Sequence, residues 1–388
     1  MMVKIFAMTH KEFDVPNDPM YIPLHVGHAG AKKDFGYMGD DTGDNISDLN
    51  CYYAELSGVY WVWKNYREAE YVGICHYRRF LTDESGYAFT QKEYENLLNR
   101  YDIITTKQLE LPNSYRYGFG AHHNVNTLDE TGKIIKERYP EFYDTYVSLV
   151  NQNKTYFGNM MVAKKALYDE YCAWLFDIFF ELQKRIDLTF ADDYHKRVFG
   201  FISEFLLYGW VTAKGLSAYE CRVAIIGEKK ETNEITSQMQ RFFQKRDAAG
   251  AKEYFMQYLK KRPDVIMEAS DITGECKLCL QAVSTANLEL AEYGSCFLDR
   301  INEYGAVMQY FRQLNKAAAE HVKNAAKSCT QKNTSKAEYV QTIEACSYDR
   351  EVLVQSSDIA LQAAVRLYAA DAETAQKAFE QMKIYQKG

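Results

Sequence analysis

The sequence predicts an α/β domain built on a mainly parallel sheet with flanking helices, followed by an all-α domain. In the first part of the chain, short apolar runs alternate with segments of helical periodicity. All four tryptophans and five of the six prolines lie before residue 211, whereas Ala, Gln, Lys and Glu dominate after about residue 235. Because the composition changes once, we expect two domains, 1–235 and 236–388.

The strands of the first domain are predicted from five short apolar segments. Several are flanked by glycine and are apolar throughout, which is typical of strands that are buried on both faces. The segments span residues 3–8, 21–26, 71–75, 102–106 and 156–163. Ligands of such sheets bind beyond the carboxyl ends of the strands, so functional side chains are expected there.

Helices are predicted between these strands and throughout the second domain. The clearest covers residues 46–64, with Asn45 placed to cap it. Its apolar stripe comprises Leu49, Tyr52, Leu56, Tyr60 and Trp63. Two more helices are expected around 167–182 and 194–208. After residue 235, apolar residues recur at helical spacing with a break at Pro263, which predicts short antiparallel helical hairpins.

Charge and composition exclude several classes of protein. The 53 Asp and Glu residues outnumber the 46 Lys and Arg residues, so no overall positive charge attracts nucleic acid or an anionic membrane. The longest apolar stretches fall short of the roughly 20 residues that a membrane-spanning helix needs. The first residues lack the features of an export signal, which predicts a cytoplasmic protein.

The cysteines predict no disulfide framework and no zinc site. Nine cysteines are scattered through a long chain, which is typical of reduced, mostly buried thiols. Cys276 and Cys279 form one CxxC motif. A structural zinc site needs a second pair or two nearby histidines, so we expect these two residues to be ordinary helix cysteines.

Small and polar residues follow the first two predicted strands. Thr9 and His10 end the first strand. The second strand continues through Gly27 and Ala29, where small side chains let a ligand approach the backbone closely. This pattern suits a nucleotide.

An acidic turn comes next and leads into the first predicted helix. It contains Asp40, Asp41, Asp44 and Asn45. Spare N–H groups at a helix start attract anions, and the carboxylates could bind ribose hydroxyls or a cation. Ordinary turn and capping chemistry explains the same residues equally well.

The most informative segment is the apolar strand YVGICHYRRF, which ends in His76, Tyr77, Arg78 and Arg79. A guanidinium matches phosphate oxygens with a planar fork, so one of these arginines could stabilise the charge that develops on a departing diphosphate. If the strand persists, alternation places His76 and Arg78 on one face and Tyr77 and Arg79 on the other. Ion pairs with the protein's own carboxylates are the structural alternative.

The predicted helix 194–208 carries a candidate general base, Glu204. Its apolar neighbours would desolvate the carboxyl group and raise its pKa towards the range that is useful for proton transfer from an acceptor hydroxyl. Arg197 lies on the same face of this helix and could instead hold Glu204 in an ion pair. Both explanations stay open.

Other polar residues are candidates for the acceptor site. His122 and His123 follow a loop rich in glycine and tyrosine, and they could touch the substrate or form a lid. Asn159 lies in a predicted inner strand. Together with Arg197, these residues form the predicted acceptor-binding set.

Several strings of the sequence together resemble a bacterial family of capsular and exopolysaccharide glycosyltransferases that was long catalogued only as a domain of unknown function. The strings are TGDNIS with Asn50, ELSGVYWVWKN, YVGICHYRRF, GNMMVAKKALYDEYCAWLFDI and RVFGFISE. They occur in the family's order over roughly residues 1–228, and HYRR and RVFGFISE are the most distinctive. The C-terminal helical region lies outside the resemblance.

The resemblance implies a Rossmann-like fold of the GT-A type and transfer of a hexosyl unit, galactosyl or galactofuranosyl in some relatives. The donor would be a UDP-sugar, and the acceptor a glycan or a lipid-linked sugar of surface-polysaccharide synthesis. Inversion would be catalysed by Glu204 with His76, Arg78 and Arg79. The donor-binding residues would be Thr9, His10, Gly27, Ala29, Asp44, Asn45, Asn50 and Tyr77.

The chain departs from the wider GT-A pattern in one respect. GT-A enzymes usually hold a divalent metal ion on the diphosphate with an Asp-x-Asp motif, and here the corresponding place looks occupied by HYRR, residues 76–79. We therefore expect arginine charge to replace the metal charge wholly or partly. A manganese or magnesium ion on Asp40, Asp41 or Asp44 stays an alternative.

Two other functions fit the same residues. A non-catalytic module could recognise an anion with the arginines and dock a sugar or a protein through its helical domain. A phosphate-processing enzyme could use His76 with the arginines. A lipid-linked acceptor would place the protein at the inner face of the cell membrane, and the helical domain could support an oligomer.

Overall fold

The computed structural model describes residues 2–267, 270–330 and 349–387. Contacts between Cα atoms divide the chain into two compact units, Met1–Ile226 and Gly227–Gly388. The first unit combines a sheet with helices, and the described residues of the second unit form helices. The mixed α/β architecture predicted from the sequence is confirmed.

The strands of the first unit form one large sheet and a small two-stranded one. They are β1 (Val3–Thr9), β2 (Tyr21–His25), β3 (Met38–Gly39), β4 (Tyr71–His76), β5 (Arg79–Thr82), β6 (Ile103–Thr106), β7 (Leu109–Glu110), β8 (Lys154–Thr155), β9 (Met161–Lys164) and β10 (Ala218–Ile225). The order in the large sheet is β3-β2-β1-β4-β5-β10-β6-β9, with a further pairing between β4 and β9, while β7 pairs with β8.

The large sheet is mixed rather than mainly parallel. β1 pairs in parallel with β2 and β4, and β2 pairs in parallel with β3. β5 and β9 run antiparallel to β4. A tight hairpin joins β4 to β5, and such a hairpin can only connect antiparallel strands.

One edge of this sheet collects the candidate functional residues. The parallel strands β1, β2 and β4 end there, and the antiparallel strand β9 begins there. We call this the site edge and define it by Thr9, His25, His76 and Met161, the last or first residues of those strands.

The helices of the first unit are α1 (Asn50–Tyr53), α2 (Leu56–Asn65), α3 (Gln91–Leu98), α4 (Tyr115–His122), α5 (Asn126–Arg138), α6 (Pro140–Val150), α7 (Lys165–Arg185) and α8 (Val198–Lys214). The prediction of a helix around 167–182 is confirmed by α7. The prediction of one continuous helix over 46–64 is wrong, because Ala54 adopts φ 48° and ψ −127° between α1 and α2. A helix cannot continue through that conformation.

Helices cover both faces of the sheet. In β1, Phe6 and Met8 belong to a core that includes side chains of α2, α7 and α8. The alternate residues Val3, Ile5 and Ala7 belong to a second core that includes side chains of α3. This alternation follows from the period of two along a strand, and it places the whole site edge on a rigid, buried support.

The second unit has a core of its own. Its helices are α9 (Lys230–Gln244), α10 (Ala248–Lys261), α11 (Glu275–Tyr293), α12 (Tyr304–Thr330), α13 (Asp349–Gln355), α14 (Asp358–Arg366) and α15 (Ala372–Lys387). Cys276 and Cys279 lie buried in α11. No helix in the described parts of the chain has both the length and the apolar character needed to cross a lipid bilayer.

Candidate functional site

β4 and β5 form a tight hairpin at the site edge. His76 ends β4 and lies directly opposite Arg79, the first residue of β5. Residues directly opposite each other in an antiparallel pair project from the same face of the sheet. The alternation that would group His76 with Arg78 was expected only if the strand continued, and the strand ends at His76, where the chain reverses direction. His76 and Arg79 therefore share one face.

The turn before β9 contacts this histidine. Gly158 and Asn159 both have positive φ angles, 93° and 50°, which glycine and asparagine tolerate best. The Gly158 carbonyl oxygen is hydrogen-bonded to His76 Nε2. The Gly158 N–H donates to Glu204 Oε1 over 2.9 Å. The turn thus links strand β4 to helix α8.

The Asn159 side chain ties α2 to the same turn. Its Nδ2 donates to Glu55 Oε1 over 2.7 Å and to the Gly200 carbonyl oxygen over 3.0 Å. Its Oδ1 accepts from Ser203 Oγ over 2.7 Å. Asn159 is buried, so these bonds form away from bulk water and hold their geometry firmly.

Glu55 is a site residue that the sequence prediction missed. It directly follows Ala54, and the break at Ala54 turns the chain so that Glu55 precedes the first residue of α2. The available signal was that Glu55 is the one charged residue between positions 51 and 63. We did not single out Glu55 because we expected a continuous helix at this position. We call Glu55, His76, Arg79, Asn159 and Glu204 the edge cluster.

The protonation of His76 follows from its surroundings. Burial lowers the pKa of His76, and the Arg79 charge lowers it too, while the Glu55 carboxylate acts in the opposite direction. His76 is therefore neutral near pH 7. The Gly158 carbonyl oxygen can only accept a hydrogen bond, so the single ring proton sits on Nε2 and Nδ1 carries the lone pair.

Arg79 is a half-buried cation without an ion pair to any carboxylate of the described residues. Its guanidinium lies 4.8 Å from the centre of the Phe157 ring. Burial lowers the pKa of Arg79, while the nearby Glu204 and Glu55 carboxylates favour the charged form. The pKa of a guanidinium starts so high that the group stays charged. The structural alternative of a close ion pair is not formed among the described residues, although the charges of Glu204 and Glu55 act on this arginine.

Arg78 has different surroundings from Arg79. Its Nε donates to the main-chain oxygen of Ile226 over 3.1 Å, and the Ile226 N–H donates to the Arg78 carbonyl oxygen over 2.8 Å. The side chain thus runs towards the end of β10. The two arginines thus have different partners, although the Arg78 charge still lowers the pKa of Arg79.

Arg197 does not hold Glu204 in an ion pair. Its Nε donates to the Asp193 carbonyl oxygen over 3.3 Å. Its guanidinium carbon lies 5.8 Å from the centre of the Tyr194 ring. One of the two sequence explanations for Glu204 is therefore removed.

Asp40 organises the loop that follows β2. Its buried carboxylate accepts from the N–H groups of Gly27 and His28, each over 3.0 Å. It also accepts from Ser47 Oγ over 2.5 Å and from Ser57 Oγ over 2.6 Å. All of these donors belong to the protein, so the Asp40 carboxylate acts as a structural anchor.

Other predicted donor-binding residues also take part in holding this loop. The Ala29 N–H donates to Ser47 Oγ over 3.1 Å. Gly27 has a φ of 67°, and a Cβ atom there would lie 2.7 Å from the Asn50 side chain. Asn50 Nδ2 in turn donates to the Ala54 carbonyl oxygen over 2.6 Å. We interpret these contacts as support for the site edge.

Asp44 and Asn45 lie towards the other end of α2. Asp44 accepts from the Tyr60 hydroxyl over 3.0 Å and lies 3.8 Å from Lys64 Nζ. Lys64 is about 13 Å along the helix from Glu55 at 1.5 Å per residue. Asn45 Oδ1 accepts from the Ser47 N–H over 3.2 Å. Neither contact involves the edge cluster.

Half-buried and exposed aromatic rings line the site edge next to the cluster. We define the aromatic shelf as His10, Phe13, Tyr37 and Tyr77. The Tyr77 ring centre lies 5.4 Å from that of His10 and 6.1 Å from that of Phe13, and Phe13 lies 5.9 Å from Tyr37. Such rings offer flat apolar faces with polar edges.

The loop after β1 brings a positive charge to this shelf. The buried Thr9 hydroxyl is hydrogen-bonded to the backbone of Lys11. Lys11 Nζ lies 4.8 Å from the centre of the Tyr77 ring. The Tyr77 N–H donates to the Met8 carbonyl oxygen over 3.1 Å, which fixes the ring relative to β1.

His123 is packed rather than poised on a lid. Its ring stacks on Tyr194 at 5.1 Å and lies 4.4 Å from Phe201 between ring centres. Burial, together with the charge of the neighbouring His195, lowers the pKa of His123 to about 3. Its Nδ1 atom is buried without a hydrogen-bond partner in the described residues. His122 precedes it as the last residue of α4.

An open groove of about 1280 Å³ lies beside this packed ring. Its lining includes His123, Asn124, Phe190, His195 and Val198. Phe190 in this lining is 95% exposed. Val198 begins α8, the helix that also supplies Glu204, so the groove and the edge cluster share one element.

The candidate metal ligands do not form a cluster. Within the described residues, no group of three or more His, Cys, Asp or Glu side chains is placed to hold a metal ion. Asp41 lies 2.9 Å from His28 Nδ1, while Asp40 and Asp44 are engaged as described above.

Comparison with family models assigns the first unit. Residues 4–215 match the model of a domain of unknown function, DUF4422, which is more than half of the 388 residues. The chain belongs to the DUF4422 family. The whole edge cluster lies inside the matched DUF4422 segment.

A solved structure is also similar to this DUF4422 protein. It is the apo structure of WbbM, a bifunctional glycosyltransferase, with 30% sequence identity and a TM-score of 0.53. The similarity covers 59% of this chain and 46% of the WbbM chain. The present chain therefore spans less than half the length of the WbbM chain. Among curated proteins, no significant match was found.

Within this DUF4422 chain, the structure brings together part of the predicted site. His76, Arg79, Asn159 and Glu204 converge on one turn, and Glu55 joins them unpredicted. The other parts of the predicted site lie away from this turn. They are Arg78, the loop after β2, the acidic turn and the predicted acceptor residues other than Asn159.

Proposed function

We propose that this protein is a glycosyltransferase that moves a hexosyl unit, galactosyl or galactofuranosyl, from a UDP-sugar to a glycan or lipid-linked acceptor. The similarity to a bifunctional glycosyltransferase supports the general activity. The observation that carries the proposal is Arg79, a cation at the site edge that forms no ion pair with a carboxylate of the described residues, although the nearby Glu204 and Glu55 charges favour its charged form. A diphosphate is an anion of suitable chemistry for it.

Arg79 would act on the leaving group. As the bond between the anomeric carbon and the diphosphate breaks, negative charge develops on the diphosphate oxygen. A guanidinium that is already in place stabilises this charge without reorganisation, and it is most effective where water is partly excluded. The half-buried position of Arg79 beside Phe157 meets that condition.

The donor nucleotide would lie along the site edge. The aromatic shelf offers ring faces on which a uracil base can stack, and Lys11 adds positive charge near the phosphates. His10 and Tyr77 thus remain proposed donor contacts. Gly27, Ala29 and Asn50 would support the edge from behind.

The acceptor would approach from the side of α8. The lining of the open groove includes Val198 of that helix, and the exposed Phe190 and the polar Asn124 in the same lining suit a sugar chain. Transfer with inversion needs a base for the acceptor hydroxyl. The edge cluster offers two carboxylates for this role, Glu204 and Glu55.

The remaining proposals concern the biological setting. We propose a GT-A type fold, a role in capsular or exopolysaccharide synthesis, and a cytoplasmic location at the inner face of the membrane if the acceptor is lipid-linked. An oligomer formed through the helical unit would be compatible with this setting.

The test is release of nucleoside diphosphate from a panel of sugar nucleotides, each assayed with manganese and with a chelator. We expect the 388-residue chain to release UDP slowly from UDP-galactose or a related donor, because water replaces the acceptor. Release that persists with the chelator supports arginine in place of a metal ion. Binding without release from any donor would indicate a non-catalytic module instead.

A further inference from the structure

The two carboxylates of the edge cluster have different hydrogen-bond partners. Glu204 Oε1 accepts from the main-chain N–H of Gly158 over 2.9 Å. Glu55 Oε1 accepts from the Asn159 side chain over 2.7 Å. Within the described residues no hydrogen bond reaches Glu55 Oε2, and Glu55 is half-buried. A base must present an oxygen of this kind to its substrate.

The space next to Glu55 is kept open by a glycine. Gly200 lies in the first turn of α8, where alanine would favour the helix more. A Cβ atom at this position would lie 3.8 Å from both carboxylate oxygens of Glu55. The missing side chain therefore leaves one side of the carboxylate uncovered at the point where α8 approaches α2.

The main chain before Glu55 is held in a rare conformation. Ala54 has a φ of 48° and a ψ of −127°, which few residues other than glycine adopt. Such strain costs free energy and tends to be retained where it serves function. Here it interrupts the helix and directs Glu55 towards His76 and Arg79.

We propose that Glu55 is the general base of the reaction and that Glu204 is a positioning residue that holds the Gly158 turn. This inference rests on the proposed glycosyltransferase function. Glu55 Oε2 takes the proton of the acceptor hydroxyl, and the oxygen lone pair forms the new bond to the anomeric carbon. The bond to the diphosphate breaks, and its electron pair leaves with the diphosphate beside Arg79.

The test compares two matched variants, Glu55→Gln and Glu204→Gln, in the full-length protein. Glutamine keeps a side-chain oxygen that can accept from Asn159 Nδ2 or from the Gly158 N–H, so only the negative charge and the basicity are lost. UDP release from UDP-galactose is measured with water as the acceptor and again with azide. Azide attacks as an anion and has no proton to lose, so it bypasses the base.

We expect Glu55→Gln to slow the water reaction by about 10²-fold or more and to spare the azide reaction, so that the ratio of azide to water rates rises by that factor. Glu204→Gln should change both reactions by the same factor, because Glu204 does not take the acceptor proton and the loss of its charge affects every acceptor alike. A rise of this ratio in Glu204→Gln and not in Glu55→Gln would overturn the inference and leave the proposed function intact. If the wild-type protein releases UDP from no donor, the proposed glycosyltransferase function and the assignment of Glu55 are both wrong.

A second variant, Gly200→Ala, covers the case in which Glu55→Gln is unstable. Alanine is the better helix residue, so the melting temperature should rise or stay the same. The added methyl group covers the side of Glu55 that we propose faces the hydroxyl, so the water reaction should slow while UDP binding, followed by thermal shift, stays unchanged. An unimpaired water reaction in this variant would also count against Glu55.

Discussion

At the scale of single residues, two adjacent arginines differ in their surroundings and therefore in their expected importance. Arg79 lies in the edge cluster without an ion pair among the described residues, whereas Arg78 donates to a main-chain oxygen near the end of β10. We expect Arg79→Ala to lower kcat for UDP release by about 10²–10³-fold, as for other groups that stabilise developing charge. Arg78→Ala should stay close to wild type. Steady-state release assays on both variants decide this.

The pair of arginine variants contains its own control. Both remove one guanidinium from the same hairpin, so a general effect of lost charge would appear in both. Equal losses would contradict the assignment of Arg79 to the leaving group. Thermal unfolding of each variant shows whether the fold is retained.

His123 makes a residue-scale prediction about pH. Its pKa is about 3 in the folded protein against an ordinary value of 6.5, because the ring is buried. Between these values the unfolded chain binds a proton that the folded chain does not, so stability falls as the pH falls, by up to about 1.4 kcal/mol per pH unit. The His123→Phe variant keeps an aromatic ring in the stack and has no group at this position that can bind a proton.

The measurement is urea unfolding of wild type and His123→Phe at pH 7 and pH 5. Other buried histidines titrate in both proteins, so the difference between them isolates His123. We expect the wild type to lose up to about 2 kcal/mol relative to the variant over this interval. A constant difference between the two proteins at both pH values would show that His123 is protonated in the fold.

Candidate site residues were predictable from the sequence where a charged or polar residue stands in an otherwise apolar segment. Arg79 and His76 at the end of an apolar strand drew attention, and Glu204 did so within an apolar helix. Glu55 did not, because its role depends on the φ and ψ angles of the residue before it. The sequence does not indicate that an alanine adopts unusual φ and ψ angles. The role of Glu55 could therefore be recognised only from the structure.

At the scale of elements, the break between α1 and α2 predicts an unusual response to glycine. Ala54→Gly removes the steric conflict of a positive φ and should stabilise the protein by about 1 kcal/mol. The same change at Ala173, an exposed position inside α7, should destabilise it by about 1 kcal/mol. Urea unfolding of the two variants measures both changes in the free energy of unfolding. A loss of stability in Ala54→Gly would show that the main chain at Ala54 is not strained.

The loop after β2 depends on one buried carboxylate. Asp40 accepts four hydrogen bonds from the protein, two of them from the main-chain N–H groups of Gly27 and His28. Asp40→Asn replaces one acceptor oxygen with a donor, and we expect a loss of about 3 kcal/mol in the free energy of unfolding. Asp48→Asn, at an exposed position, should change it by less than about 0.5 kcal/mol.

The Asp40 prediction is checked by urea unfolding of both asparagine variants at neutral pH. Similar stabilities for Asp40→Asn and the wild type would show that the loop is held in another way. The comparison also bears on function, because a released loop would expose the Gly27 N–H to an incoming anion. UDP-galactose binding by the variant can then be measured directly.

Elements were predictable where a regular pattern continues, and not where turns interrupt it. α7 and the parallel strands at the site edge follow apolar periodicity and were expected. The hairpin between β4 and β5 was not expected, because Tyr77-Arg78 is not a typical turn sequence and nothing marked the reversal of the chain. That hairpin decides which arginine accompanies His76.

At the scale of the whole molecule, each hydrophobic core lies within one of the two units. The first unit contains the cores on both sides of the sheet, and the second contains the core of the helices. The family match, residues 4–215, and the whole edge cluster fall in the first unit. The proposed chemistry therefore resides in residues up to Ile226, and the helical unit would contribute something else.

This distribution predicts that residues 1–226 fold and act without the helical unit. A fragment of this size with complete cores is within the usual range for an independent domain. We expect its urea unfolding to be cooperative and its UDP release from UDP-galactose to match the full-length rate. The same fragment carrying Arg79→Ala serves as the inactive control. A fragment that folds cooperatively but releases no UDP would show that residues beyond 226 complete the site.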